Sequence, residues 1–108
     1  MKHFIYSVAK KYPIKLPNGE YTKFADGATI TKVKVMFGLG SDKEIRDKAF
    51  LESDYHIPQD LWSKCRGESR IIVNGEVHRV ELHWYEANGR RYEFKMKYDF
   101  DERGEDEC

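Results

Sequence analysis

The 108 residues are 40% hydrophobic and 35% charged, which excludes a disordered chain and allows one core of modest size. The formal charge is zero, and two cysteines, Cys65 and Cys108, fit a reducing cytoplasm better than a disulfide scaffold. Met1-Lys2-His3-Phe4-Ile5-Tyr6 lacks the apolar stretch of a secretion signal, and no run approaches the length of a membrane span.

Residues 1–27 read as an irregular arm. Phe4 to Val8 has the character of a short strand, after which Pro13, Pro17 and the turn Pro17-Asn18-Gly19-Glu20 interrupt any longer element. Asp26-Gly27 is a second turn. Ala28 to Phe37 reads as a strand, because Val33, Val35 and Phe37 alternate with Lys32, Lys34 and Met36. Gly38-Leu39-Gly40 ends it. Ser41 with Glu44 then forms a capping box, which predicts a helix to about Tyr55 with Ile45, Ala49, Phe50, Leu51 and Ser53 on its buried stripe. Pro58 stops that helix and opens a short helical turn to Lys64, with Leu61 and Trp62 inward. Three strands follow: Ser69 to Val73, Val77 to Glu86 and Arg90 to Phe100, joined at Asn74-Gly75 and Ala87-Asn88-Gly89. The expected fold is a single α+β domain over 1–108. It has an arm (1–27), a core (28–100) in which one main helix and a helical turn pack on an antiparallel sheet ending in a three-strand meander, and an acidic tail (101–108).

The meander sorts into two faces. Val80, Leu82 and Trp84 alternate with Arg79, Glu81, His83 and Tyr85, and Tyr92, Phe94, Met96 and Tyr98 alternate with Arg91, Glu93, Lys95 and Lys97. A two-residue Asn88-Gly89 turn pairs Leu82 with Lys95 and mixes the faces. A three-residue loop with Gly89 left-handed pairs Leu82 with Phe94, Val80 with Met96, Glu81 with Lys95 and His83 with Glu93, so it is the expected register. The first hairpin sets Arg70 opposite Arg79. The apolar face is expected to carry the helix.

A carboxylate, an imidazole and several cations on one sheet face are the parts of a metal-independent ribonuclease. Glu81 takes the 2′-hydroxyl proton as base, His83 protonates the leaving 5′-oxygen as acid, and Arg70, Arg79, Lys95 and Lys97 hold the phosphate. A solvated outer face with cross-strand ion pairs is the commoner reason for such residues on a strand. No metal and no cofactor are expected: His3, His78, Cys65 and Cys108 lack ligand spacing, and no phosphate-cradling nucleotide motif is present. Cys65, between Lys64 and Arg66, has the charge environment for a lowered pKa. Six acids between Asp99 and Glu107 leave the rest of the chain net basic, which points to an anionic partner or to a solubilising tail.

The segments Leu51-Glu52-Ser53-Asp54-Tyr55-His56-Ile57-Pro58 to Trp62-Ser63-Lys64, Glu81-Leu82-His83-Trp84-Tyr85-Glu86-Ala87-Asn88-Gly89 and Phe94-Lys95-Met96-Lys97 resemble small uncharacterised domains encoded in bacterial phages and prophages, some attached to head proteins. The strand, helix and meander are also similar in topology to the barnase–EndoU–colicin–RelE group of ribonucleases. These likenesses imply a phage-associated, RNA-directed domain in the host cytoplasm, with or without ribonuclease activity. The alternatives are a non-enzymatic inhibitor that binds a host defence complex and an accessory protein of the virion.

Overall fold

The computed structural model describes residues 12–101, so the strand expected at Phe4 to Val8, together with His3, Cys108 and the tail from Glu102 onward, lies outside the described residues. Strand makes up 51% of the structure and helix 13%, which makes the protein mainly β and corrects the α+β expectation. The elements are β1 (Ile14–Lys15), β2 (Tyr21–Thr22), β3 (Thr31–Gly38), α1 (Ala49–Tyr55), a 3-10 turn (Gln59–Leu61), β4 (Ser63–Val73), β5 (Glu76–Ala87) and β6 (Arg90–Asp99). They form one six-stranded sheet in the order β2-β1-β6-β5-β4-β3. The β1–β6 contact is parallel and the other pairings are antiparallel.

Within the segment expected as an irregular arm, Ile14–Lys15 and Tyr21–Thr22 are therefore part of the sheet. The Pro17-Asn18-Gly19-Glu20 turn closes a small β1–β2 hairpin, with Gly19 at φ +90° and Leu16 N–H donating to Glu20 O at 2.7 Å. Further along, Ala25 N–H donates to Arg70 O and Ile72 N–H to Lys23 O, so residues 23–25 extend the edge of β4 beyond the end of β3. Strands of two residues carry too little periodic pattern to be read from sequence.

The helix is half its expected length. It begins at Ala49, and its N-cap Lys48 makes no side-chain capping bond. Ser41 serves a turn instead: its hydroxyl donates to Met36 O at 3.2 Å and accepts from Lys43 N–H at 3.1 Å. Local hydroxyl bonds of this kind compete with helix formation. Gly38 N–H donates to Lys43 O at 2.6 Å, folding the segment back so that Ile45 is buried without being helical. A Cβ at Gly38 would lie 2.2 Å from Trp62 O, so this close return needs glycine. Leu51 is buried, whereas Ala49 and Ser53 face solvent.

The β4 strand starts at Ser63, six residues before the expected start, and the 3-10 turn covers only Gln59–Leu61. Trp62 is buried as expected, but Leu61 is exposed. Gly67 gives β4 the look of a broken strand, yet it permits close packing: an added Cβ would be 2.9 Å from both Trp84 and Ile30.

The β5–β6 hairpin keeps the two-residue turn and corrects the mixed faces with bulges. Asn88 (φ 52°) and Gly89 (φ 75°) join Ala87 to its partner Arg90. Positive φ at both positions is the type I′ geometry that suits the strand twist. A register shift between His83 and Tyr85, with Glu93 at φ 58°, moves Leu82 from Lys95 to Met96, and a second between Glu81 and Leu82 sets Tyr98 opposite Glu81. His83 pairs with Lys95, Val80 with Asp99 and Tyr85 with Tyr92. The three-residue loop and its pairings are thus not formed. The β4–β5 hairpin has the expected Asn74-Gly75 turn, with Arg70 opposite Arg79.

Two cores lie on opposite faces of the sheet. The larger one, around Ile14, Cys65, Ile71, Val80, Leu82 and Trp84, is covered by Leu16, Phe24 and Ile30 of the N-terminal segment. Helix α1 packs on the other face, where Leu51, Phe50 and Tyr55 join Ile45, Trp62, Tyr85, Ala87 and Tyr92. The expected docking of the helix on the Val80-Leu82-Trp84 face is therefore reversed. Bulges in β3 split its side chains accordingly, Val35 entering the first core and Phe37 the second, while Val33 is exposed.

Candidate functional site

Beyond the helix, the second face of the sheet carries mainly cationic side chains among the described residues. On β5 the outward residues are Arg79, Glu81 and His83. Opposite them on β4 stand Arg70, Glu68 and Arg66 in turn, and Lys34 of β3 stands opposite Arg66. Lys95 of β6 is the partner of His83 on the other side. Directly paired residues on neighbouring strands project to the same face. His83 is therefore bracketed by Arg66 and Lys95.

Glu81 and His83 are joined directly. His83 Nε2 lies 2.8 Å from Glu81 Oε2, and Arg66 Nη1 lies 3.4 Å from Glu81 Oε1. A carboxylate only accepts, so Nε2 carries the proton and the neutral tautomer leaves Nδ1 as the basic nitrogen. Both side chains are about one-fifth exposed, at 17% for His83 and 22% for Glu81, which is enough for a ligand to reach them. Glu68 stands opposite Glu81. That like-charge pair is tolerated because Lys32 Nζ lies 3.5 Å from Glu68 and Arg66 reaches Glu81.

The surroundings of His83 favour its neutral, basic form. Burial pushes the His83 imidazole below its ordinary value near 6.5, the bond to Glu81 opposes that shift, and Lys97 and Lys64 reinforce it. Burial also lowers the Lys64 ammonium, helped by Lys97 and Lys95, and Lys64 Nζ lies 5.7 Å from the centre of the Tyr85 ring. Exposed ion pairs contribute at most about 1 kcal/mol each. Crowding of cations to this degree thus has little to offer stability, and an anion placed among them would relieve it.

The structure brings together Glu81, His83, Lys95 and Lys97 of the expected site. Arg70 and Arg79 pair as expected, but at the far end of the face. There the Arg79 guanidinium stacks over Phe100 at 5.1 Å, and its backbone N–H donates to Asp101 at 2.8 Å. Lys64, Arg66 and Lys34 are the residues that sequence reasoning missed. The signal for two of them was present, since the alternation Lys64, Arg66, Glu68, Arg70 continues the outward face of β4 backwards through Gly67. Cys65 departs from expectation: burial in the first core pushes its thiol up to about 11, so it is no nucleophile. Among the described residues no group of three or more His, Cys, Asp or Glu could hold a metal ion, and no helix is long and apolar enough to cross a membrane.

Comparison with protein-family models, curated proteins and solved structures finds no match to this chain.

Proposed function

We propose that this face binds RNA and cleaves it by metal-independent transesterification. The observation that carries the reading is a His83 imidazole, oriented by Glu81 at 2.8 Å, standing between Arg66 and Lys95 on an open sheet surface. The direct bond joins Glu81 and His83 into one proton-transfer unit, in place of a base and an acid on opposite sides of a phosphate. In this scheme His83 Nδ1 takes the proton from a 2′-hydroxyl, and the 2′-oxygen attacks the adjacent phosphorus. Arg66, Lys95 and Lys97 stabilise the added negative charge. The bond from phosphorus to the 5′-oxygen breaks, and Lys64, made more acidic by its surroundings, delivers a proton to that oxygen. The products are a 2′,3′-cyclic phosphate and a 5′-hydroxyl. Water then returns a proton to Lys64 and removes the one on His83.

The test is incubation of the purified protein with total RNA in EDTA, beside His83→Ala and Lys64→Met variants. Fragments should carry cyclic phosphate ends, DNA should remain intact, and His83→Ala should slow cleavage by about a hundredfold or more. Intact RNA, or an equally active His83→Ala protein, would overturn the enzymatic reading.

A further inference from the structure

The end of β6 and the residue that follows it, Phe100, add an aromatic ledge to this face at the end away from the helix. The bulge between Met96 and Tyr98 turns Tyr98 outward and places it directly opposite Glu81. Its ring lies 5.0 Å from that of Phe100 with only 31° between the planes, and Arg79 lies over Phe100 at 5.1 Å. Tyr98 is half-buried. Glu81 is one strand over from Tyr98, and His83 lies two residues further along the same β5 strand, so the ledge stands beside the Glu–His pair on the same surface.

Aromatic rings beside cations on a sheet are a platform for nucleic acid bases. Every base has a face that stacks, whereas phosphates go to Arg and Lys. A paired base in an A-form helix is not available for such stacking, and a sheet cannot enter the narrow major groove of that helix. The ledge therefore selects single strands. We infer that the substrate is single-stranded RNA, with one base stacked on Tyr98 and Phe100 and the neighbouring phosphate led past Arg79 towards His83. This rests on the ribonuclease reading and narrows its substrate class.

The experiment measures binding of a labelled 2′-O-methyl oligouridylate of about twelve nucleotides, which cannot be cleaved, and of the same strand annealed to its complement. The single strand should bind at least about fivefold more tightly than the duplex. Tyr98→Leu should weaken single-strand binding by about fivefold or more, and Tyr98→Phe, which keeps the ring, should bind like the unaltered protein. Equal affinity for strand and duplex, or no loss in Tyr98→Leu, would overturn the inference and leave the cleavage reading standing if RNA is still cut. Absence of binding together with absence of cleavage would overturn both. Should Tyr98→Leu fail to fold by circular dichroism, the strand-against-duplex comparison still decides.

Discussion

His83 shows how one side chain can be tuned by its strand neighbours. Burial and two lysines hold it neutral, and one carboxylate orients it. Its folded pKa is depressed, so the folded protein binds this proton less readily than the unfolded chain. The stabilising contribution is thus complete above about pH 6.5 and is lost as pH falls through the lower folded value. Urea unfolding of the protein and of His83→Gln between about pH 7 and pH 5 should show a smaller loss of stability on acidification in the variant; parallel curves would contradict the shift. In the proposed reaction the cleavage rate follows the same group, with an acid limb centred below 6.5, because only the neutral imidazole accepts a proton. The outward position of His83 and Glu81 was legible from alternation alone. Their direct bond was not, because a spacing of two on a strand sets the face and leaves the rotamers open.

At the scale of elements, the β5–β6 hairpin resolves a conflict visible in the sequence. Asn88-Gly89 demands a two-residue turn, yet that turn alone mixes polar and apolar faces. A longer loop satisfies the pattern on paper, whereas the protein keeps the turn and inserts bulges, one with Glu93 in the left-handed region. Glu93 is fixed there by the Tyr55 hydroxyl, which donates to Glu93 Oε2 at 2.6 Å. Bulges have no simple sequence signature, so the registers of β3 and β6 could not be read in advance. Gly89 has nothing within 4 Å of an added Cβ, so Gly89→Ala isolates the backbone cost of its φ of +75°. The expected loss is about 1 kcal/mol in chemical unfolding. An unchanged midpoint would mean that the turn adapts to another type.

On the whole molecule, the division of labour between the faces depends on the N-terminal segment. Ile14, fully buried beside Phe94 in the parallel β1–β6 contact, seals the larger core, while the helix is left to cover one end of the other face. Sequence periodicity located the meander and its aromatic core because long strands repeat their signal. It could not place segments of two residues, nor could it assign the helix to a face when both faces carry aromatic residues. Ile14→Ala should cost about 2–5 kcal/mol, as for other buried aliphatic truncations, and should lower the melting temperature accordingly. A cost below about 1 kcal/mol would show that the segment is not an integral part of the core.

We propose that RNA binds the surface around Glu81 and His83. The most direct measurement is a titration of isotope-labelled protein with the non-cleavable single strand, followed by backbone amide and imidazole resonances. Shifts should cluster on Lys64, Arg66, Glu81, His83, Lys95 and Tyr98, and should fade as salt is raised, since phosphate contacts release counterions. Shifts confined to the Ile14–Phe24 side of the sheet, or absent at saturating RNA, would rule out RNA binding at this surface.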